Sequence, residues 1–461
     1  MSIMTKAIQS SLEFARSHHD RFLDELHEFL TISSISGDPV YEKEMQLAAD
    51  WVADRLGALG LDRVELLPTA GNPVVYGEWL NPDSSSPTVM IYGHYDVAPV
   101  EPLDEWDSDP FAPFLRGDNL YGRGSSDMKG QIMACVAAVE ALKLRAEVPL
   151  NIKFLIEGEE ESGPSHLSDV LTTHHELLES DFCLNTDAGM VGPECPSITY
   201  ALRGHMGCDL HVVGPSSDLH SGAYGGVVQN PIHVLSELIA GFHNEDGRVA
   251  IPGFYDKVRE IDEAQRLMLA KVPYPEEKFL METGAPFLWG ETGYSPLERT
   301  IVRPSLDVVY FEGGSLKGAI PSKARAAIGM RLVPDQDPKE IYEQTSNYVR
   351  ESLPEAVTWK LEFRYGFPAI LVDVNTPWVD ALTNALEAVW GVKPALIRIG
   401  GGIPAVIDLK ENLGIDSVMT GFSLPDANLH GPNEKLHIPT WKRGVDALIH
   451  FFYNLADLQD Q

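Results

Sequence analysis

Histidine and carboxylate side chains recur where apolar, strand-like runs stop. TVMIYG (88–93) runs directly into His94-Tyr95-Asp96, and NIKFLI (151–156) runs into Glu157, Glu159, Glu160 and Glu161. DFCLNT (181–186) ends at Asp187, and SVMT (417–420) leads through a loop to His430. A further acid, Asp127, follows YGRGSS at the start of a helical pattern. In open α/β sheets, sites form outside the carboxyl ends of the strands, so these side chains should share one edge. Two histidines with three or more carboxylates suit a divalent ion such as Zn²⁺ or Mn²⁺. A single ion with an open position does not need five protein ligands. Two ions about 3.5–4 Å apart that share a bridging carboxylate do. Without cations, that many acids would repel one another. The plain alternative, a helix cap or solvated loop end, explains any one of them but not five at one edge.

Two spacings carry more detail. In His94-x-Asp96, residues i and i+2 can share a face, so Asp96 can accept from the second imidazole nitrogen and orient the ring. Glu160 and Glu161 are adjacent, so on extended backbone their side chains diverge. One can then hold metal while the other faces substrate as a general base, its pKa lifted by burial. The chain has no HExxH, GxSxG, Walker loop or GxGxxG. His18, His19, His27, His174, His175 and His450 lie in helical patterns and read as ordinary surface or core histidines.

The elements that must position these groups alternate. Helical patterns cover 4–32 and 42–59, the second closing at Gly60. VVYGEWL and the three ligand-bearing runs read as strands, and 127–146 and 165–178 as helices. This is an α/β texture with a mostly parallel, helix-covered sheet. From about 203 the order becomes strand, helix (230–242), strand, strand, helix (338–352), strand, that of a ferredoxin-like α+β layer. No element is assigned over 246–303. After 372 the α/β texture returns. The simplest organisation is therefore one α/β domain with a second, α+β domain inserted in it.

The 461 residues are 44% apolar and 22% charged, enough for sizeable cores, with a net charge of −33. So acidic a surface disfavours nucleic acid and anionic membranes, although solubility alone would also explain it. Four cysteines without a CxxC pair point to a reducing cytoplasm. No run of about 18 apolar residues offers a membrane span, and no signal peptide is read at the N-terminus.

GHYDV, YGRGSSDMKG, EGEEESG, the Asp of NTD, DLHSGAYGG and LHGPNEK occur in that order between about 90 and 435. Together they resemble the co-catalytic metallopeptidase family M20, most closely its cytosolic non-specific dipeptidase and carnosinase branch. The resemblance implies two divalent metal ions per chain, zinc first, with manganese or cobalt as substitutes. One would be held by His94, Asp127 and Asp187, the other by Asp127, Glu161 and His430. It implies Asp96 as orienting acid, Glu160 as general base and a cis peptide bond at Asp127–Met128. It also implies that 205–371 is a lid and dimerisation domain of a homodimer. His220 would reach a partner's site to stabilise the oxyanion, and Arg331 would bind the substrate carboxylate. Two positions depart from the branch: Arg398-Ile399-Gly400-Gly401-Gly402-Ile403-Pro404 lacks its Glu and Ser, and Gly318 stands where it carries threonine.

The expected activity is metal-dependent cleavage of dipeptides or small peptide-like substrates with a free carboxylate. An N-acyl-amino-acid deacylase would use the same chemistry. A non-catalytic metal-binding scaffold should have lost a ligand or the base, and none is missing.

Overall fold

The computed structural model describes residues 3–82, 86–143, 148–163, 165–270, 272 and 274–460. Contacts divide the chain into two compact units: 1–200 with 372–397 and 403–461, and 201–371 with 398–402.

In the first unit, the strands Asn151–Glu157, Thr88–His94, Phe182–Asn185 and Ser417–Met419 lie side by side and parallel. They are buried along almost their whole length, so the runs read as continuously apolar rather than alternating. Antiparallel strands flank them, Val74–Trp79 and Arg63–Leu67 on one side and Ser197–Leu202 on the other, so the sheet is mixed. The helix expected over 4–32 is two, Ile3–Ser17 and His19–Leu30. His18 leaves helical geometry at φ −116°, ψ 10°, and its Nδ1 lies 2.8 Å from Phe14 O. The 165–178 helix breaks likewise at His174. The helix after Asp127 runs Lys129–Lys143, and the expected residues 144–146 lie outside the described residues. It is buried on nearly every side. The closing helix Ile438–Ala456 packs on it, and Trp441 Nε1 donates to Gly130 O at 2.7 Å.

The second unit holds a four-stranded antiparallel sheet in the order Ser305–Gly313, Lys323–Leu332, Gly204–Val213, Thr358–Phe367. Helices Pro231–Ala240 and Pro338–Ser352 fill the two crossovers, giving the ferredoxin-like connectivity. Strand alternation sends Met206, Cys208, Leu210, Ala326, Ile328 and Met330 into one core with Leu235, Leu238, Ile341 and Val349 of those helices. The segment 246–303 contains short helices Glu263–Leu269, Glu276–Thr283 and Pro296–Ile301, the last opened by a Ser295/Glu298 capping box.

Candidate metal centre

Four parallel strand ends and two loops build one cluster in the first unit. Strand register sets His94 beside Glu157, and Tyr95 N donates to Glu157 O at 2.8 Å. Gly158 is required next to it, because a Cβ there would stand 2.3 Å from the Tyr95 ring. Asp187 N donates to Asn185 Oδ1 at 2.8 Å, fixing the turn beyond its strand. Glu160 and Glu161 open a single 3₁₀ turn, Glu160–Ser162. His430 lies in a loop with left-handed backbone at Asn428, His430 and Asn433, and the Asp127–Met128 peptide bond is cis.

Three donor groups converge, each with ligand atoms within 4.8 Å: His94, Asp127 and Asp187; Asp127, Glu161 and His430; and His94, Glu160 and Glu161. The two carboxylate oxygens of Asp127 face different histidines, Oδ1 at 3.2 Å from His94 Nε2 and Oδ2 at 3.0 Å from His430 Nε2. His430 Nε2 is also 3.0 Å from Glu161 Oε1. His94 Nε2 and Glu161 Oε1 are buried, make no well-aligned hydrogen bond, and have as near polar neighbours other donors of the same cluster. Buried lone-pair donors that converge on one another are what a metal ion satisfies, so the residues present fit a divalent cation.

The electrostatics agree. Burial pushes Glu160 up to about 7, aided by Glu161 and Asp127. Burial and the neighbouring Asp127 raise Asp187 well above the carboxylate range. His430 is held up at about 10 by its hydrogen bonds to Asp127 and Glu161. Burial opposes ionisation of Asp127, but hydrogen bonds from His430 and His94 prevail and hold it below the usual range. The cluster thus offsets its negative charge with protons, a task bound cations perform instead.

Two local details differ from the sequence reading. The nearer acceptor for His94 Nδ1 is the backbone oxygen of Asp96, at 3.0 Å, with the carboxylate at 3.4 Å. That carboxylate accepts from Ser36 Oγ at 2.6 Å and from Glu161 N at 3.0 Å, so it also anchors the glutamate turn. Because this backbone is a 3₁₀ turn rather than extended, both Glu160 and Glu161 reach the neighbourhood of His94. The other acids of the stretch are used elsewhere. Glu157 accepts from Tyr92 Oη at 2.8 Å, and Glu159 binds the amide and ring of His166.

His220 and Arg331 belong to the second unit. His220 is exposed on a two-residue strand, opposite Ala319, and its Nδ1 accepts from Gly222 N at 3.1 Å, capping the turn Ser221–Tyr224. Arg331 lies in register with His205 and lines a cavity of about 410 Å³ together with His205, Asp307, Arg364 and Tyr365. Burial lowers His205 to about 4 and Arg203 to about 10, with Arg331 adding its repulsion to both.

Sequence reasoning missed Ser36, Asn185 and Glu434. Ser36 and Asn185 carry no pattern of their own. Glu434 was within reach, since it stands inside the HGPNEK segment four residues after His430.

The chain is 28% identical over 464 residues to the Cys-Gly metallodipeptidase DUG1 of Candida albicans, covering 94% of each. Its fold matches human carnosine dipeptidase 1 with a TM-score of 0.84, at 26% identity and 99% coverage of both chains. It also matches the metallo-carboxypeptidase Sso-CP2 of Sulfolobus solfataricus, with a TM-score of 0.83 at 30% identity over 94% of this chain and 99% of that one. Residues 90–454, which carry every donor of the cluster, match the model of Peptidase family M20/M25/M40, and the chain belongs to that family.

Proposed function

We propose that the protein is a two-metal dipeptidase in which Asp127 is shared between the ions. The observation that carries this reading is the pair of donor groups meeting at Asp127, with His94 and Asp187 on one side and Glu161 and His430 on the other. The names of the relatives, a Cys-Gly metallodipeptidase and a carnosine dipeptidase, support dipeptides as substrates. The histidine–carboxylate donor set favours zinc, with manganese or cobalt as substitutes. Such ions, when bound, polarise a scissile carbonyl and lower the pKa of water.

The chain's own residues supply the rest. Glu160, raised by burial and facing the donor cluster without belonging to either group that meets at Asp127, is placed to take a proton and pass it to the leaving amine. Asp96 fixes the turn that carries Glu160 and Glu161. With Nδ1 of His220 accepting from Gly222 N, the neutral ring carries its proton on Nε2, ready to donate to an oxyanion. The guanidinium of Arg331 matches a terminal carboxylate, and the neighbouring Arg203 adds to the positive field. Residues 205–371 are proposed as the lid and dimerisation domain between catalytic segments 1–204 and 372–461, with His220 serving the partner's site. Four free cysteines support a cytoplasmic location.

The test is a panel of dipeptides and N-acyl amino acids, assayed before and after chelation and again after zinc is restored. Dipeptide hydrolysis that is lost and then regained is the expected result. Cleavage of N-acyl amino acids alone would replace the peptidase with a deacylase, and no hydrolysis of either would reject the reading.

A further inference from the structure

Glu434 is entirely buried, and its carboxylate accepts four hydrogen bonds. Oε1 takes Ser126 N at 2.8 Å and Asp127 N at 3.0 Å, while Oε2 takes Gly124 N at 2.9 Å and Arg123 Nη1 at 2.7 Å. Four donors on two oxygens require the ionised form, because a protonated acid would set its O–H against N–H groups. Arg123, 1% exposed, is the neutralising partner, and its other terminal nitrogen donates to Pro99 O at 2.9 Å. Every donor except the guanidinium is backbone of 124–127, the segment that ends in Asp127. On the other side, Glu434 is four residues from His430, and the two are joined by a loop closed through Gly431 N to Asn428 O and Lys435 N to Ala427 O. One carboxylate therefore ties the loop bearing Asp127 to the loop bearing His430.

We propose that Glu434 is a positioning residue for the metal centre: it holds the Asp127 backbone so that both carboxylate oxygens face the histidines, and it links Asp127 to His430. This rests on the reading of Asp127 as a metal ligand. Fold stability alone would be served by any arrangement that leaves no charge buried without a partner. Positioning needs the acceptor oxygens themselves.

That difference makes the two roles separable. Glu434→Gln keeps the shape but turns one oxygen into a donor facing donors, and it strands Arg123. The double variant Glu434→Gln/Arg123→Met removes both charges, so no ion is left unpaired. Zinc affinity of the purified full chain would be measured by competition with a chromophoric chelator. Thermal unfolding of the metal-free protein would be followed in parallel. Glu434→Gln should lose about 10–100-fold in zinc affinity, the usual effect of losing a group that orients ligands. The double variant should regain thermal stability while zinc affinity stays low. Wild-type affinity in Glu434→Gln would overturn the proposal, as would affinity that returns together with stability in the double variant. If Glu434→Gln does not fold, the double variant decides alone: weak zinc binding in a stable protein supports positioning, and normal binding refutes it. Asp127→Asn, run alongside, separates the premise from the proposal. Zinc binding at the wild-type level there would overturn the ligand reading and this proposal with it. Weak binding there with an unaffected Glu434→Gln would overturn the proposal alone.

Discussion

The strand-end edge of the first unit and the open sheet face of the second handle charge in opposite ways. The first collects acids in the interior: burial presses Asp127, Asp187, Glu157, Glu160 and Glu434 toward their neutral forms, opposed at Asp127 by its histidines and at Glu434 by Arg123 and three backbone amides. Hydroxyls and backbone amides hold several of the carboxylates: Tyr92 on Glu157, three amides on Glu434 and Ser36 on Asp96. The second collects bases: Arg203, His205 and Arg331, with burial acting against the charged form of the first two. Its residues are half-buried or exposed, and His220 has one ring nitrogen committed to a turn amide. The difference is one of preorganisation. A cation site needs fixed donors before its ion arrives, because the ion's geometry tolerates little error. A face that grips an anionic group can leave long side chains free until that group binds.

The contrast can be broken at its strongest point first. Asp127→Ala removes the residue shared by both donor groups. It should abolish binding of both ions and lower turnover by more than the roughly 10⁴-fold ceiling of a lost proton-transfer group. Metal analysis of the purified variant checks this, and retention of one tightly bound ion would show that the two groups are independent. Glu160→Ala should keep two ions per chain while turnover falls about 10²–10⁴-fold. A protein with half the metal would mean that Glu160 and Glu161 have each other's roles.

His220→Ala moves the test to the second unit, where metal content should not change and turnover should fall about 10²–10³-fold. Mixing these chains with Glu160→Ala chains should restore part of the activity, since one site of each mixed dimer has both residues. Mixed dimers as inactive as their parents would remove the role in trans. The smallest effect concerns His205. Its folded pKa is lowered to about 4 by burial, and by Arg331 and Arg203, so the folded chain binds fewer protons than the unfolded chain between about 4 and 6.5. Stability should therefore fall as pH drops through that window. His205→Gln should flatten that part of the stability–pH curve without altering zinc binding. An unchanged slope would show that the ring is not constrained as described.

Legibility in the sequence followed the same division. The ligand-bearing strands were readable because burial on both faces leaves mostly apolar, non-alternating runs, despite Lys153 in one of them, ahead of His94, Glu157 and Asp187. The strands Arg63–Leu67 and Ser197–Leu202 were not, since they flank the parallel centre and mix polar with apolar residues. The sequence could list Glu160 and Glu161 but not their 3₁₀ turn, which depends on a hydrogen bond from Glu161 N to the Asp96 carboxylate, 65 positions away. Glu434 was hidden for a related reason. Three of its four partners are backbone groups more than 300 residues distant, and backbone amides have no letter in a sequence.

The strand order carries a consequence for synthesis. Ser417–Met419 sits between Phe182–Asn185 and Ser197–Leu202, so the slot it fills is laid down about 200 residues before the strand itself emerges. At translation rates of about 5–20 residues per second, the nascent chain presents an unpaired, apolar edge of Phe182–Asn185 for roughly 10–40 s. That edge is a template for pairing with other chains until the late strand closes it. The biosynthetic hazard of this protein therefore lies in the interval between the synthesis of Phe182–Asn185 and that of Ser417–Met419, and a ribosome-bound holdase that shields Phe182–Asn185 should raise the yield of folded chain more than any aid given after release.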